Sequence, residues 1–178
     1  MLLDHKKELF EYYLDFLSFN LRQYETHKFY ERNRGLFDER PNIYPLFSST
    51  FLRGHILGLA VLLDPEETKA GYRNFSARIF DIYGELNRPE IKEITEKIID
   101  LRRKWLAHQD LDFVLKQQKI KEVDLKKDIE EVKLFDAFVR VAKNFARENF
   151  KVDYYIDERL SQVKKETAAF LCHFYSEI

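Results

Sequence analysis

Ile56-Leu57-Gly58-Leu59-Ala60-Val61-Leu62-Leu63 is the longest near-continuous apolar run in this sequence. It is apolar on every side of a helix, which is typical of a helix in the centre of a domain. It is too short to span a bilayer, so we expect no membrane partner. Asp64-Pro65 follows it and favours a helix end, because proline disfavours helical backbone at the preceding residue. We therefore predict a central, buried helix from about Phe47 to Leu63.

The rest of the chain has helical periodicity and no strand-like alternation. Glycine (5) and proline (4) are scarce, which favours long uninterrupted elements. We predict a first helix from about Leu2 to Arg32, a loop from Gly35 to Pro45 and a short helix from about Asn74 to Glu85. A fourth helix opens at Asn87-Arg88-Pro89-Glu90, and two long helices follow it; the pattern over Leu111 to Glu122 is ambiguous. The sequence predicts one all-α domain over residues 1–178, a bundle of about five to six helices.

Apolar stripes at three- and four-residue spacing identify the face that each helix buries. The predicted stripes are Leu3, Phe10, Leu14, Leu17, Leu21 and Tyr24 in the first helix, Ile129, Val132, Phe135, Val139, Ala142 and Ala146 in the fifth, and Leu160, Val163, Thr167, Leu171 and Phe174 in the last. Asp124 is the expected N-cap of the fifth helix. The only cysteine, Cys172, falls in the apolar part of the last helix and is expected in the core rather than as a nucleophile.

Charge and cysteine content narrow the class of protein. The chain has 30 basic and 31 acidic residues, a balance that argues against a surface wholly dedicated to nucleic acid but allows a local basic cleft. One cysteine excludes an internal disulfide, which fits a reducing compartment. Charged residues interrupt the apolar N-terminus at once, unlike a signal peptide. We expect a cytoplasmic protein.

Leu101-Arg102-Arg103-Lys104-Trp105-Leu106-Ala107-His108-Gln109-Asp110 ends the predicted fourth helix. The apolar stripe of that helix consists of Ile91, Ile94, Ile98, Leu101 and Trp105. At ~100° per residue, Arg102 falls on one edge of the stripe and His108 on the other, whereas Arg103 points away. Arginine binds phosphate with two hydrogen bonds and histidine moves protons near neutral pH, so the pair indicates phosphodiester chemistry.

Structural explanations compete with this functional one. Arginine, lysine and histidine in the last turn of a helix also stabilise its dipole, and Arg-x5-His is a pattern that chance supplies often. Arg53 and His55 open the central helix and would line the same cleft, although a buried, hydrogen-bonded histidine and a surface arginine are the simpler assignment. No histidine pair has convincing spacing for a metal, and we expect neither metal nor organic cofactor.

The decapeptide Leu101 to Asp110 resembles the Leu-Arg-(Asp/Asn)-Lys-x-x-Ala-His-x-Asp block of HEPN-like domains, in their abortive-infection U-type branch. Upstream, His55 to Pro65 resembles the central helix of that branch, and Asn74 to Phe80 resembles its short third helix. The resemblance covers about Phe51 to Asp110, with the blocks in the same order. Arg103 is a departure, because the family more often has asparagine or aspartate at that position.

The resemblance implies metal-independent cleavage of RNA by a homodimer, in abortive infection or toxin–antitoxin-like defence. The arginine and histidine of the family correspond to Arg102 and His108, which would be catalytic. The residues expected to contact RNA are Arg103, Lys104, Asp110 and Arg53. An antitoxin protein is a further expected partner. The alternative is a non-catalytic HEPN module that binds RNA, a nucleotide or a protein, and a helical bundle without a site is a third possibility.

Overall fold

The computed structural model describes residues 3–37, 43–63, 83–102, 133–150 and 155–176. Within these ranges the protein is all-α, as predicted, and no residue forms a β-strand. The helices are α1 (Leu3–Arg32), α2 (Ile43–Leu62), α3 (Tyr83–Leu86), α4 (Pro89–Leu101), α5 (Lys133–Phe150) and α6 (Ile156–Ser176), with a 3₁₀ turn at Arg34–Phe37. The predicted N-cap Asp124 and the segment 111–122 lie outside the described residues, as does most of the predicted third helix.

The chain divides into two compact units. The first consists of Met1–Gly58 and Val152–Ile178, and the second of Leu59–Lys151. The first unit contains α1, α6 and most of α2, whereas the second contains α3, α4 and α5. That the chain is a single domain stays a prediction.

Helices α1 and α6 run parallel to each other in the first unit. Arg159 of α6 pairs with Glu11 at 3.0 Å and with Asp15, and two or more turns further along both helices Arg22 faces Glu166 at 3.8 Å. The buried stripes agree with the predicted ones where the residues are described, except that Phe174 is exposed and that Ile156, which was not predicted, extends the stripe of α6. They consist of Phe10, Leu14, Leu17, Leu21 and Tyr24 in α1 and of Ile156, Leu160, Val163, Thr167 and Leu171 in α6.

Helix α2 begins earlier than predicted, at Ile43 rather than Phe47. Pro45, which the sequence predicts in a loop, is instead the third residue of the helix. Backbone N–H groups of the first turn have no acceptor within the helix, so proline breaks no hydrogen bond there. Gly35 to Phe37, also in the predicted loop, belong to the 3₁₀ turn that follows α1.

The apolar half of α2 is buried much as the sequence predicts. Ile56, Leu59, Ala60 and Leu62 are at most 2% exposed. Leu57 is the exception at 36%, so this helix is not enclosed on every side. No helix in the described part of the chain combines the length and the apolar composition that crossing a membrane requires.

In the second unit, Glu85 connects the three helices. Its carboxylate accepts hydrogen bonds from Arg88, at 2.9 Å, and from Arg140 of α5, at 3.3 Å. Helix α4 then starts at Pro89, as predicted, with extended backbone at the N-cap residue Arg88. The fixed φ of proline suits the first helical position, where its missing N–H group is not needed.

The buried face of α5 differs from the predicted one. Ala142 and Ala146 are buried as expected, but Phe135 and Val139 are only half-buried. Their neighbours Leu134 and Phe138 are buried instead, together with Ala137 and Val141. The sequence has apolar residues on two adjacent rows of this helix, so spacing alone does not decide which row faces the core.

Two predictions for α6 are wrong. Phe174, predicted on the buried stripe, is 51% exposed, and its ring stacks on the exposed Phe170 at 6.2 Å. Cys172, expected in the core, is exposed as well. The stripe of α6 therefore stops at Leu171, the last buried residue described in this helix.

Candidate functional site

Arg102 is the predicted catalytic residue that the structure describes. It lies directly after α4 with helical backbone (φ −56°, ψ −47°), and its N–H group bonds the carbonyls of Ile98 and Ile99. The residue is half-buried. Ile98, one turn earlier on the same side of the helix, is 1% exposed. Arg102 therefore continues the buried side of α4 rather than its solvent side.

The other residues of the predicted motif fall outside the described part of the chain. They are Arg103, Lys104, Trp105, His108 and Asp110. Arg53 is described and lies exposed on α2, in the first unit, whereas Arg102 belongs to the second. That these residues form one site stays a prediction.

A buried polar cluster in the first unit joins His55 to Asn20, a partner that the sequence did not predict. The side-chain Nδ2 of Asn20 on α1 donates a hydrogen bond to the backbone carbonyl of His55 on α2, at 2.9 Å. The ring Nδ1 of His55 donates to the backbone carbonyl of Asn20, at 3.2 Å. Both residues are at most 2% exposed. Each side chain thus bonds the backbone of the other helix, which sets how α1 and α2 lie along each other.

Two more residues of α1 surround the His55 ring. The Tyr24 ring stacks on it, with centroids 4.8 Å apart and planes inclined by 28°. His27 is also buried and acts on His55 electrostatically. The pKa of His55 is lowered from 6.5 to about 4, mainly by burial and to a smaller extent by His27. The hydrogen bond to Asn20 raises the pKa and offsets part of this shift. The imidazole is therefore neutral near pH 7.

The chemistry of this cluster follows from its protonation. A carbonyl oxygen only accepts, so Nδ1 of His55 carries the proton and Nε2 carries the lone pair. A histidine that stays neutral far below pH 7 is poorly matched to proton transfer at neutral pH. The simpler of the two sequence-based assignments, a buried and hydrogen-bonded His55 with a surface Arg53, is confirmed by their positions. The cluster is part of the packing between α1 and α2.

One sequence signal points to this contact. Gly58 lies three residues after His55, and a Cβ atom there would lie 2.1 Å from Nδ2 of Asn20. Glycine inside a helix is unfavourable unless another group must approach closely. Together with Asn20 in the middle of an apolar stripe, this glycine marks the place where α1 and α2 meet.

Metal-binding clusters are absent from the parts of the chain that the structure describes. No group of three or more histidine, cysteine, aspartate or glutamate residues there could hold a metal ion.

Comparison of the chain with protein-family models found no match. Neither curated proteins nor solved structures gave a match. The assignment of function therefore depends on the residues themselves.

Proposed function

We propose that this protein is a metal-independent endoribonuclease of the HEPN type, with Arg102 and His108 as its catalytic pair. The position of Arg102 is the observation that carries the proposal. Arg102 is half-buried and continues the buried side of an amphipathic helix, which supports a role at a cleft, because an arginine that only stabilises the helix dipole can remain in solvent. The all-α fold agrees with the resemblance of residues 51–110 to HEPN-like domains.

The proposed reaction is transesterification within the RNA chain. The 2′-oxygen attacks the adjacent phosphorus while His108 takes the hydroxyl proton, and the bond from phosphorus to the 5′-oxygen breaks. That 5′-oxygen receives a proton from a second acid. Arg102 stabilises the negative charge that develops on the non-bridging oxygens. The products are a 2′,3′-cyclic phosphate and a 5′-hydroxyl end.

One copy of the motif supplies a single histidine for two proton transfers. In the proposed enzyme a second copy of the chain supplies the other, so that two Arg102/His108 pairs share one cleft. Arg103, Lys104 and Asp110 would contact the RNA around it. The proposed setting is abortive infection or toxin–antitoxin-like defence, with an antitoxin protein as the partner that restrains the enzyme.

The test is cleavage of total RNA from the expression host and of a short fluorescent RNA, with and without EDTA. Wild type is compared with Arg102→Ala and His108→Ala. Lys92→Ala is the matched control, because it removes an exposed cation from the solvent side of the same helix. A 2′-O-methyl RNA of the same sequence, which lacks the nucleophile, must remain intact.

Cleavage that resists EDTA, requires the 2′-hydroxyl and disappears in both active-site variants is the expected result. Activity that survives His108→Ala would contradict the proposal, as would activity that EDTA abolishes. Wild type that binds RNA through Arg102 without cutting it would instead identify the alternative function, a non-catalytic RNA-binding module. The charge balance of the chain and the cation at Arg103 favour that alternative.

A further inference from the structure

The side of α1 that faces away from its buried stripe carries two large aromatic residues. Tyr12 is 59% exposed and Phe19 is 50% exposed. They belong to a row in which the steps along the chain are four, three, four and three residues, the spacing of one face of a helix. We call this row the outer stripe; its members, all exposed, are Glu8, Tyr12, Asp15, Phe19 and Arg22.

The outer stripe is limited to the first two thirds of α1. At ~100° per residue its centre is opposite Leu17, which is fully buried. Thr26 and Tyr30 continue the same side of the helix but are buried. Phe16 flanks the stripe, with its ring centroid 6.5 Å from that of Phe19. Scattered surface aromatics are common, but Tyr12 and Phe19 lie on one row two turns apart, with Phe16 beside Phe19.

The stripe is complementary to itself when reversed. Glu8 and Arg22 lie seven residues to either side of Asp15 and carry opposite charges. Tyr12 lies three residues before Asp15 and Phe19 four residues after it, a mismatch of one residue, or ~1.5 Å along a helix. Two antiparallel copies of α1 that cross at Asp15 therefore bring Tyr12 opposite Phe19 and Glu8 opposite Arg22.

We propose that the outer stripe of α1 is an interaction surface for a second copy of this chain. The two α1 helices pair antiparallel about a two-fold axis at Asp15. Glu8 of each copy meets Arg22 of the other, and Tyr12 meets Phe19. Such an isologous contact contains each interaction twice, so a short stripe provides two ion pairs and two aromatic pairs.

The axis brings two Asp15 carboxylates close together, which alone would oppose the contact. Each carboxylate, however, already pairs with Arg159 of α6, which also holds Glu11 at 3.0 Å. Arg159 is 34% exposed over its side chain, so its charge lies at the surface beside the stripe. Two guanidinium groups therefore accompany the two aspartates and reduce their repulsion, although each is shared with Glu11.

The expected affinity is modest. From Glu8 to Arg22 the stripe is ~21 Å long, and one helix pair of that length forms a small interface. A dissociation constant on the order of tens of micromolar is expected. The contact does not involve Arg102 or His108, so it is independent of the proposed nuclease.

The first test is sedimentation velocity on the full chain over a range of concentrations. Phe19→Lys places a charge in the apolar part of the stripe and should raise the dissociation constant about tenfold or more. If two chains also associate through the region around Arg102, as proposed for the nuclease, the wild type forms an assembly larger than a dimer. Phe19→Lys should then reduce that assembly to a dimer. Lys165→Glu, an exposed charge change on α6, is the control and should alter nothing. Far-UV circular dichroism checks that each variant is folded.

The second test is a charge exchange. Glu8→Arg and Arg22→Glu should each weaken association by bringing like charges together, and the double variant should restore it. Arg22 also faces Glu166 within its own chain, at 3.8 Å, so Glu166→Gln is measured separately and should have no effect. Restoration by the double variant favours the antiparallel pairing, because a parallel pairing in register would place residue 8 opposite residue 8 and residue 22 opposite residue 22.

Three results would overturn the proposal. The first is a wild-type chain that is monomeric at on the order of a hundred micromolar, above the expected constant. The second is an assembly unchanged by Phe19→Lys and by both charge reversals. The third is an assembly that only Arg102→Ala or His108→Ala disrupts, which would assign self-association to the other end of the molecule.

Discussion

Asn20 and His55 exchange two hydrogen bonds, and in each the side chain of one residue reaches the backbone carbonyl of the other. Both carbonyls belong to helices, and both side chains are buried. The exchange tolerates little sliding, since a shift of one residue along either helix would move both donors away from their acceptors. This contact therefore links protonation, helix register and stability in the first unit.

Acid should destabilise the protein through His55. Burial lowers the pKa of its ring to about 4, so between that value and 6.5 the unfolded chain binds a proton that the folded chain excludes. The contribution of neutral His55 to the free energy of unfolding is fully present above pH 6.5. It declines as the pH falls to about 4, by on the order of 3 kcal/mol in total. Urea unfolding at about pH 7 and about pH 5 should differ by about 2 kcal/mol from this residue.

His55→Asn tests that contribution, since asparagine keeps a side-chain N–H donor but does not titrate. The variant should be less stable at neutral pH, because it loses the stacked ring, yet its stability should change less between pH 7 and pH 5. His173→Asn, at an exposed position, is the control. Equal pH dependence in wild type and His55→Asn would contradict the assignment.

Alanine substitution at three glycines should give graded effects on stability. At Gly58 the new Cβ would lie 2.1 Å from Nδ2 of Asn20, so Gly58→Ala should cost about 1–3 kcal/mol by displacing that amide. At Gly54 it would meet the end of the flexible Gln23 side chain at 2.7 Å, which can move. At Gly84 a Cβ would have no neighbour within 4 Å, so Gly84→Ala should be neutral or stabilising by less than about 1 kcal/mol. Thermal and urea unfolding of the three variants test this order of stability.

Phe135 and Phe138 distinguish the two possible faces of α5. Phe138 is fully buried and Phe135 is half-buried. Phe138→Ala should reduce the free energy of unfolding by about 3–5 kcal/mol, because it leaves a cavity. Phe135→Ala should cost about 1–2 kcal/mol, for its smaller buried area. The reverse order in urea unfolding would restore the face that the sequence spacing predicted.

The size of each catalytic loss can be predicted if the chain cleaves RNA. General acid–base catalysis by one side chain contributes ~10²–10⁴-fold, so His108→Ala should lower kcat/KM by that range. Arg102→Ala should lower it by a similar factor, through lost stabilisation of the phosphoryl charge. Arg103→Ala should cost less than about tenfold, since that residue is predicted on the other side of the helix. A larger effect at Arg103 than at Arg102 would reverse their assigned roles.

Local rules explain what could be predicted from the sequence. Pro89 marked the start of α4, and three- and four-residue spacing identified the buried faces of α1 and most of α6. The same spacing failed in α5, where Leu134 and Phe135 are equally apolar and only the packing of the whole unit distinguishes them. Pro45 was misleading because proline both breaks helices and fits their first turn.

For the candidate sites too, local spacing predicted some residues and could not predict others. Arg102 was predicted because it and His108 flank the apolar stripe of α4, and its role stays a prediction. The exchange between Asn20 and His55 joins residues 35 positions apart, and no periodicity in either helix encodes the partner. The outer stripe of α1 was missed because two aromatics among three charged residues do not look like an apolar face until the opposite side is known to be buried.

The parallel pairing of α1 with α6 has a consequence for the order of folding during synthesis. Arg159 contacts residues 144 and 148 positions earlier in the chain. Helix α1 therefore leaves the ribosome long before α6 is synthesised. Until then Phe10, Leu14 and Leu17 cannot pack against α6. Contacts so distant in sequence close slowly. The first unit therefore completes its core only after α6 has emerged from the ribosome.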